Sequence, residues 1–117
     1  MLRDYRLYLQ DVVECCQNAA DYTDGISFDE FSADRKTIDA VVRNLEIIGE
    51  AVKNVPSDIL QTKPEIEWKQ IARLRDLIIH YYFKVKLTVV WDIVQNRLPA
   101  LKTAVSEMLI EISKQEE

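Results

Sequence analysis

Apolar residues recur along this chain at intervals of three and four, the spacing that gathers them on one side of an α-helix. Tyr5, Tyr8, Leu9, Val12, Val13, Cys16 and Ala20 form the first such run. They predict an amphipathic helix ending near Asp24-Gly25, where glycine accepts a left-handed turn. Ser27 to Phe31 reads as a short helical turn, and Asp34 as the N-cap of the next long helix. That helix carries the cleanest stripe, Ile38, Val41, Val42, Leu45, Ile48, Val52 and Val55, and ends at Pro56. Gly49 interrupts it at a cost of about 1 kcal/mol relative to alanine. A packing reason is expected, because glycine lets a neighbouring helix come close. Ser57 reads as the cap of a short helical piece before Pro64.

A third helix is predicted from about Glu67 to Tyr82, with Trp68, Ile71, Leu74, Leu77, Ile78 and Tyr81 as its apolar residues. A fourth begins near Thr88 and carries Val90, Val94, Leu98, Leu101, Val105, Met108 and Ile112. Pro99 lies inside that pattern, removes one backbone donor and predicts a kink. Four helices that cannot each bury a face alone should pack together. The expected fold is all-α, an antiparallel up-and-down four-helix bundle with a short extra helix between the main ones, one domain over residues 1–117.

Composition agrees. The chain has 117 residues, room for one core, and only two glycines and three prolines, too few turn formers for a many-stranded sheet. The longest uncharged stretch, Leu77 to Phe83, is far short of the roughly 20 residues that a membrane span needs. The start, Met-Leu-Arg-Asp-Tyr-Arg, lacks the apolar core of a signal peptide. Cys15 and Cys16 are adjacent and have no metal-type spacing. A cytoplasmic protein without metal, cofactor or membrane partner is expected.

Charge adds one contrast. The total is −5, a poor match to a nucleic-acid binder. Between Lys69 and Lys86, however, Lys69, Arg73, Arg75, Lys84 and Lys86 face Asp76 alone, a local balance of +4 that leaves −9 elsewhere. Such a segment can still bind phosphate, since the field near a site is set by its neighbours.

That segment also holds the only histidine, His80, five residues after Arg75 and two before Tyr82. At about 100° per residue, Arg75 and His80 stand about 140° apart around a helix, whereas Arg75 and Tyr82 share a face. Arg73, Asp76, His80 and Lys84 form the opposite set. One helix therefore does not easily bring Arg75 and His80 onto one small substrate. Either the helix ends near His80, or a second copy across a two-fold axis completes the site. The residue types suit RNA cleavage. Attack of a ribose 2′-OH on its own phosphate needs a base, an acid and positive charge on the phosphorane. Histidine, with an unperturbed pKa near ~6.5, moves the protons, and arginine's permanent charge and fork match phosphate oxygens. Tyr82 can bond the substrate or orient the histidine. A satisfied polar helix face explains the same three residues without chemistry, and Asp76, one turn before His80, can be its structural partner.

The sequence resembles the HEPN superfamily, specifically the HepT-like toxins of prokaryotic toxin–antitoxin pairs. The resemblance spans nearly the whole chain, through Tyr22-Thr-Asp-Gly-Ile-Ser-Phe-Asp-Glu-Phe, Arg43-Asn-Leu-Glu-Ile-Ile-Gly-Glu-Ala, Arg75-Asp-Leu-Ile-Ile-His-Tyr-Tyr-Phe and Val90-Trp-Asp-Ile-Val. It implies a metal-independent ribonuclease, active as a homodimer, with a composite cleft in which Arg75 and His80 are catalytic. It also implies a partner, a minimal nucleotidyltransferase antitoxin of the MntA type, which moves AMP from ATP onto Tyr82. The family often has glycine and then an acidic residue two positions later where this chain has Lys84 and Lys86. With Arg73 and Asp76 these lysines are candidate contacts to RNA or partner, or simply solvated charges. Glu46 and Glu50 read as an intrahelical ion-pair row with Arg43, or as residues facing the Arg75 cleft. Trp68 and Trp91 read as core anchors. Two other functions compete: a non-catalytic HEPN module that docks a nucleotidyltransferase or binds a nucleotide, and a purely structural dimerisation domain.

Overall fold

The structure, a computed structural model, describes residues 4–81 and 86–116, with the backbone alone for 79–81. Among these residues it is all-helical. The first helix, α1 (Tyr5–Thr23), starts at Asp4, whose carboxylate accepts the Arg6 N–H at 2.9 Å. It ends where expected, and Gly25 takes the left-handed turn with φ 73°. Its buried stripe is Leu9, Val12, Cys15, Cys16, Ala19 and Thr23. Ala19 rather than Ala20 faces the core, and Cys15 joins it, because α1 packs against two long helices and buries a wider arc than one stripe. Next comes α2 (Phe28–Ser32), closed by a reciprocal capping box between Ser27 and Glu30. Its Phe31 is fully buried and, with Phe28, meets the Trp91 ring at 5.2 and 5.9 Å.

The central helix, α3 (Arg35–Lys53), is capped by Asp34, which accepts the Thr37 N–H at 3.2 Å. Every residue of its expected stripe is buried. Asn44 is buried too, donating to the Ala40 carbonyl at 2.8 Å and accepting from Asn18 at 3.2 Å, so burial leaves it bonded. After Pro56 comes the short α4 (Ser57–Leu60), with Pro56 rather than Ser57 at the cap position.

The expected third helix is two pieces, α5 (Trp68–Ala72) and α6 (Leu74–Tyr81), parted at Arg73. The junction packs closely on α3. A Cβ built on Gly49 would stand 2.8 Å from the Arg75 backbone nitrogen, 3.2 Å from the Ile71 carbonyl oxygen and 3.4 Å from that of Ala72. The α5–α6 junction is thus seated on the one position of α3 that has no side chain. Trp68, Ile71, Leu74 and Ile78 are buried as expected, whereas Leu77 is 39% exposed. Trp68 donates its indole N–H to the Lys63 carbonyl at 3.0 Å, anchoring the preceding loop.

The fourth helix is α7 (Leu87–Asp92), a π turn (Ile93–Arg97) and α8 (Leu98–Gln115). Pro99 acts upstream of itself. It has no N–H for the carbonyl four residues back, and its ring crowds that carbonyl. The chain winds in an extra residue, and the Leu98 N–H reaches Ile93, five residues back. Contacts of Arg6 with Glu116 (2.5 Å), Gln17 with Lys102 and Thr23 with Gln95 (3.5 Å) run in opposite sequence order, so α1 and this last helix are antiparallel. Leu9, Leu45, Ile48, Leu101 and Met108 fill the core of the resulting bundle. No helix among the described residues is long and apolar enough to cross a membrane.

Two expectations test this packing. Gly49→Ala should improve helix propensity yet lower stability, by about 1–3 kcal/mol in urea or thermal denaturation, because the added methyl meets backbone rather than a yielding side chain. A variant as stable as the parent would show that α3 and α6 do not touch there. Burial pushes the Cys15 thiol up to about 11, helped by Asp11 and Glu14, and the Cys16 thiol up to about 12. Both should resist alkylation in mildly alkaline buffer and react only after denaturation. Rapid labelling of the native protein would refute their burial.

Candidate active site

Three of the candidate residues, Arg75, Asp76 and His80, belong to α6. Its first turn carries Arg75 and Asp76, and each is engaged by α3. Arg75 Nε lies 3.3 Å from Glu50 Oε2, with the two side chains 43% and 53% exposed. Asp76 receives Lys53 Nζ at 2.9 and 3.0 Å. Arg75 Nη1 is 3.9 Å from Asp76 Oδ1, too far for a hydrogen bond. Glu50 and Lys53 are three apart on one face of α3, so they meet neighbouring residues of α6 in succession.

This network divides the two acidic residues weighed on α3. Glu46 forms the intrahelical pair with Arg43 at 3.3 Å, while Glu50 turns across to Arg75. The carboxylate of Asp76 is joined to Lys53, a partner that sequence reasoning missed. Its only signal was position, since Lys53 follows Glu50 by three residues in the last turn of α3.

His80 belongs to α6 by its backbone; its side chain lies outside the described residues, as do Tyr82 and Lys84 altogether. Because α6 runs through Tyr81, position 80 is helical and stands about 140° around the axis from position 75. Within one protomer these positions do not share a face.

Arg73 and Lys86 are exposed but take no part in the Arg75 network. Arg73 closes α5 and lines a groove of about 490 Å³ between α5–α6 and the last helix, floored by Leu74, Leu77 and Ile93. Arg97, Glu65, Glu67 and Asp92 line it too, so acids outnumber bases there. Lys86 precedes α7, and its carbonyl accepts the Val89 N–H at 3.0 Å. Among the described residues, no group of three His, Cys, Asp or Glu side chains is placed to hold a metal ion.

Comparison with known proteins adds a family to this geometry. The family model described as ribonuclease HepT-like matches residues 12–108. A Methanocaldococcus jannaschii protein named "Putative RNase" is 43% identical over 98% of this chain and 95% of its own length. The "Probable ribonuclease HepT" of Thermococcus cleftensis is 45% identical over 87% of this chain and 93% of its own. A "Putative RNase" of Caldanaerobacter subterraneus is 39% identical over 89% and 93%. No solved structure matches. A match over most of the chain, including the Arg75 helix and its α3 partner, is decisive: the chain belongs to the HepT-like ribonuclease family.

Proposed function

We propose that this protein is a metal-independent endoribonuclease toxin of a toxin–antitoxin pair, cutting RNA in a cleft built from α6 of two copies. The observation that carries this reading is the disposition of α6 in a ribonuclease family. Arg75 is held half-exposed on one side, and position 80 lies about 140° away. Two copies related by a two-fold axis would supply each other with the missing half.

In the proposed reaction one His80 takes the proton of the ribose 2′-OH as its oxygen attacks phosphorus. The bond from phosphorus to the 5′ oxygen breaks, and the partner's His80, in its protonated form, gives that oxygen a proton. A 2′,3′-cyclic phosphate and a 5′-hydroxyl result. Arg75 from each copy offsets the charge that builds on the phosphorane.

Neutralisation follows from Tyr82 in this reading. The partner is a minimal nucleotidyltransferase of the MntA type. The tyrosine oxygen attacks the α-phosphorus of ATP and pyrophosphate leaves. On a continued α6, position 82 would share the face of Arg75, so the attached phosphate would compensate the guanidinium and fill the cleft.

Two experiments address the proposal. Purified protein should cleave RNA in EDTA and sediment as a dimer, and Arg75→Ala and His80→Ala should each slow cleavage about 10²-fold or more without changing Tm. Cleavage that EDTA abolishes, a monomeric active species or an undiminished His80→Ala enzyme would each overturn it. Incubation with the nucleotidyltransferase and ATP should add one AMP per chain by mass spectrometry and stop cleavage. Tyr82→Phe should remain active and escape both effects. Suppression without modification of Tyr82 would refute this mode of control.

A further inference from the structure

Resting on the ribonuclease reading above, we propose that Glu50 is the positioning residue of Arg75, the group that aims its guanidinium at the substrate phosphate. Two consecutive residues of α3 act on this one arginine. Gly49 meets its backbone nitrogen so closely that a Cβ would stand at 2.8 Å, and Glu50 meets its Nε at 3.3 Å. The first contact fixes where the side chain starts, and the second fixes where it points.

Stability alone does not account for the pair. Both side chains are about half-exposed, and ion pairs in that setting contribute little to folding because water screens them. Its geometry suits orientation instead. Guanidinium offers five N–H donors in a rigid fork. Glu50 engages the Nε side, which leaves the edge formed by the two terminal nitrogens for a phosphate. Among the described residues, Asp76 meets that edge only as a 3.9 Å ion pair with Nη1, beyond hydrogen-bond reach, and is bonded twice to Lys53.

Orientation and plain electrostatics predict opposite things. Glu50 brings a negative charge beside the place where RNA would lie, so removing it should favour RNA binding. If Glu50 aims Arg75, removing it should nonetheless slow turnover. Cleavage of an RNA oligonucleotide by the full chain separates the two. Glu50→Gln should lower kcat roughly tenfold to a hundredfold, with KM unchanged or lower and Tm unchanged. Glu50→Asp, which keeps the charge at shorter reach, should recover part of the loss. The double variant Glu50→Gln/Arg75→Ala should be no slower than Arg75→Ala alone, since the first residue acts only through the second.

An undiminished kcat in Glu50→Gln, or losses that multiply in the double variant, would overturn this role. A readout free of activity accompanies the kinetics: the Arg75 Nε–H resonance in proton–nitrogen NMR. It should move toward the position of a solvated arginine in Glu50→Gln, and an unmoved resonance would show that the contact is absent. A wild type that cleaves nothing, with the resonance still responding, would instead sink the ribonuclease reading and leave the contact standing.

Discussion

The arrangement of α6 depends on a backbone contact that only glycine permits. At Gly49 the surface of α3 comes within side-chain reach of three backbone atoms at the α5–α6 junction. The last atom of that contact is the nitrogen of Arg75 itself. A change in this approach would therefore carry Arg75 with it, even though Gly49 has no side chain to touch a substrate. The helix is interrupted at this approach, at Arg73, where no proline or glycine stands in the sequence. The same approach also brings Glu50 and Lys53, one and four residues further along α3, within bonding distance of α6.

Charge follows from this packing in a way that composition alone conceals. The segment from Lys69 to Lys86 has a surplus of four positive charges. Against it α3 sets one acid, Glu50, and one base, Lys53, so docking does not erase the surplus. The other side of α6 differs. There Arg73 and Arg97 share a groove with Glu65, Glu67 and Asp92, and Asp92 is bonded to Asn96 at 2.7 Å. A phosphate would meet more acid than base in that groove, which makes Arg73 a weaker candidate for RNA contact than Arg75.

Much of the fold was legible because its helices are amphipathic and punctuated. The α3 stripe and its Asp34 cap stand where spacing puts them, and Gly25 turns the chain after α1. What escaped depends on neighbours. The arc that α1 buries is set by its two packing partners, which moved the stripe from Ala20 to Ala19 and drew in Cys15. The split at Arg73 lies over a glycine on another helix, 24 residues earlier in the chain, and no proline or glycine beside it marks the place. Pro99 was visible as a disturbance expected to kink the helix, and the irregularity beside it is a π turn placed before it. At the site, the order Arg75, His80, Tyr82 could be read directly. The pairing of Arg75 with Glu50 and of Asp76 with Lys53 could not, because chain distance says nothing about which faces meet.

A cation that must stabilise a fleeting charge faces two opposed demands. It must be held, because each rotamer it explores in the free protein has to be given up when substrate arrives. It must also stay uncompensated on the edge that meets phosphate, since a guanidinium fully enclosed by carboxylates has its charge spent before the reaction begins. Deep burial would meet the first demand at a heavy desolvation cost. The arrangement here meets both at the surface. One carboxylate takes the Nε side, the nearby second one is bonded to lysine, and the Arg75 side chain stays 43% exposed. The same logic bears on symmetry. An arginine tied to α3 on one side of α6 is poorly placed to reach round to position 80, and the proposed two-fold cleft is the arrangement in which it need not.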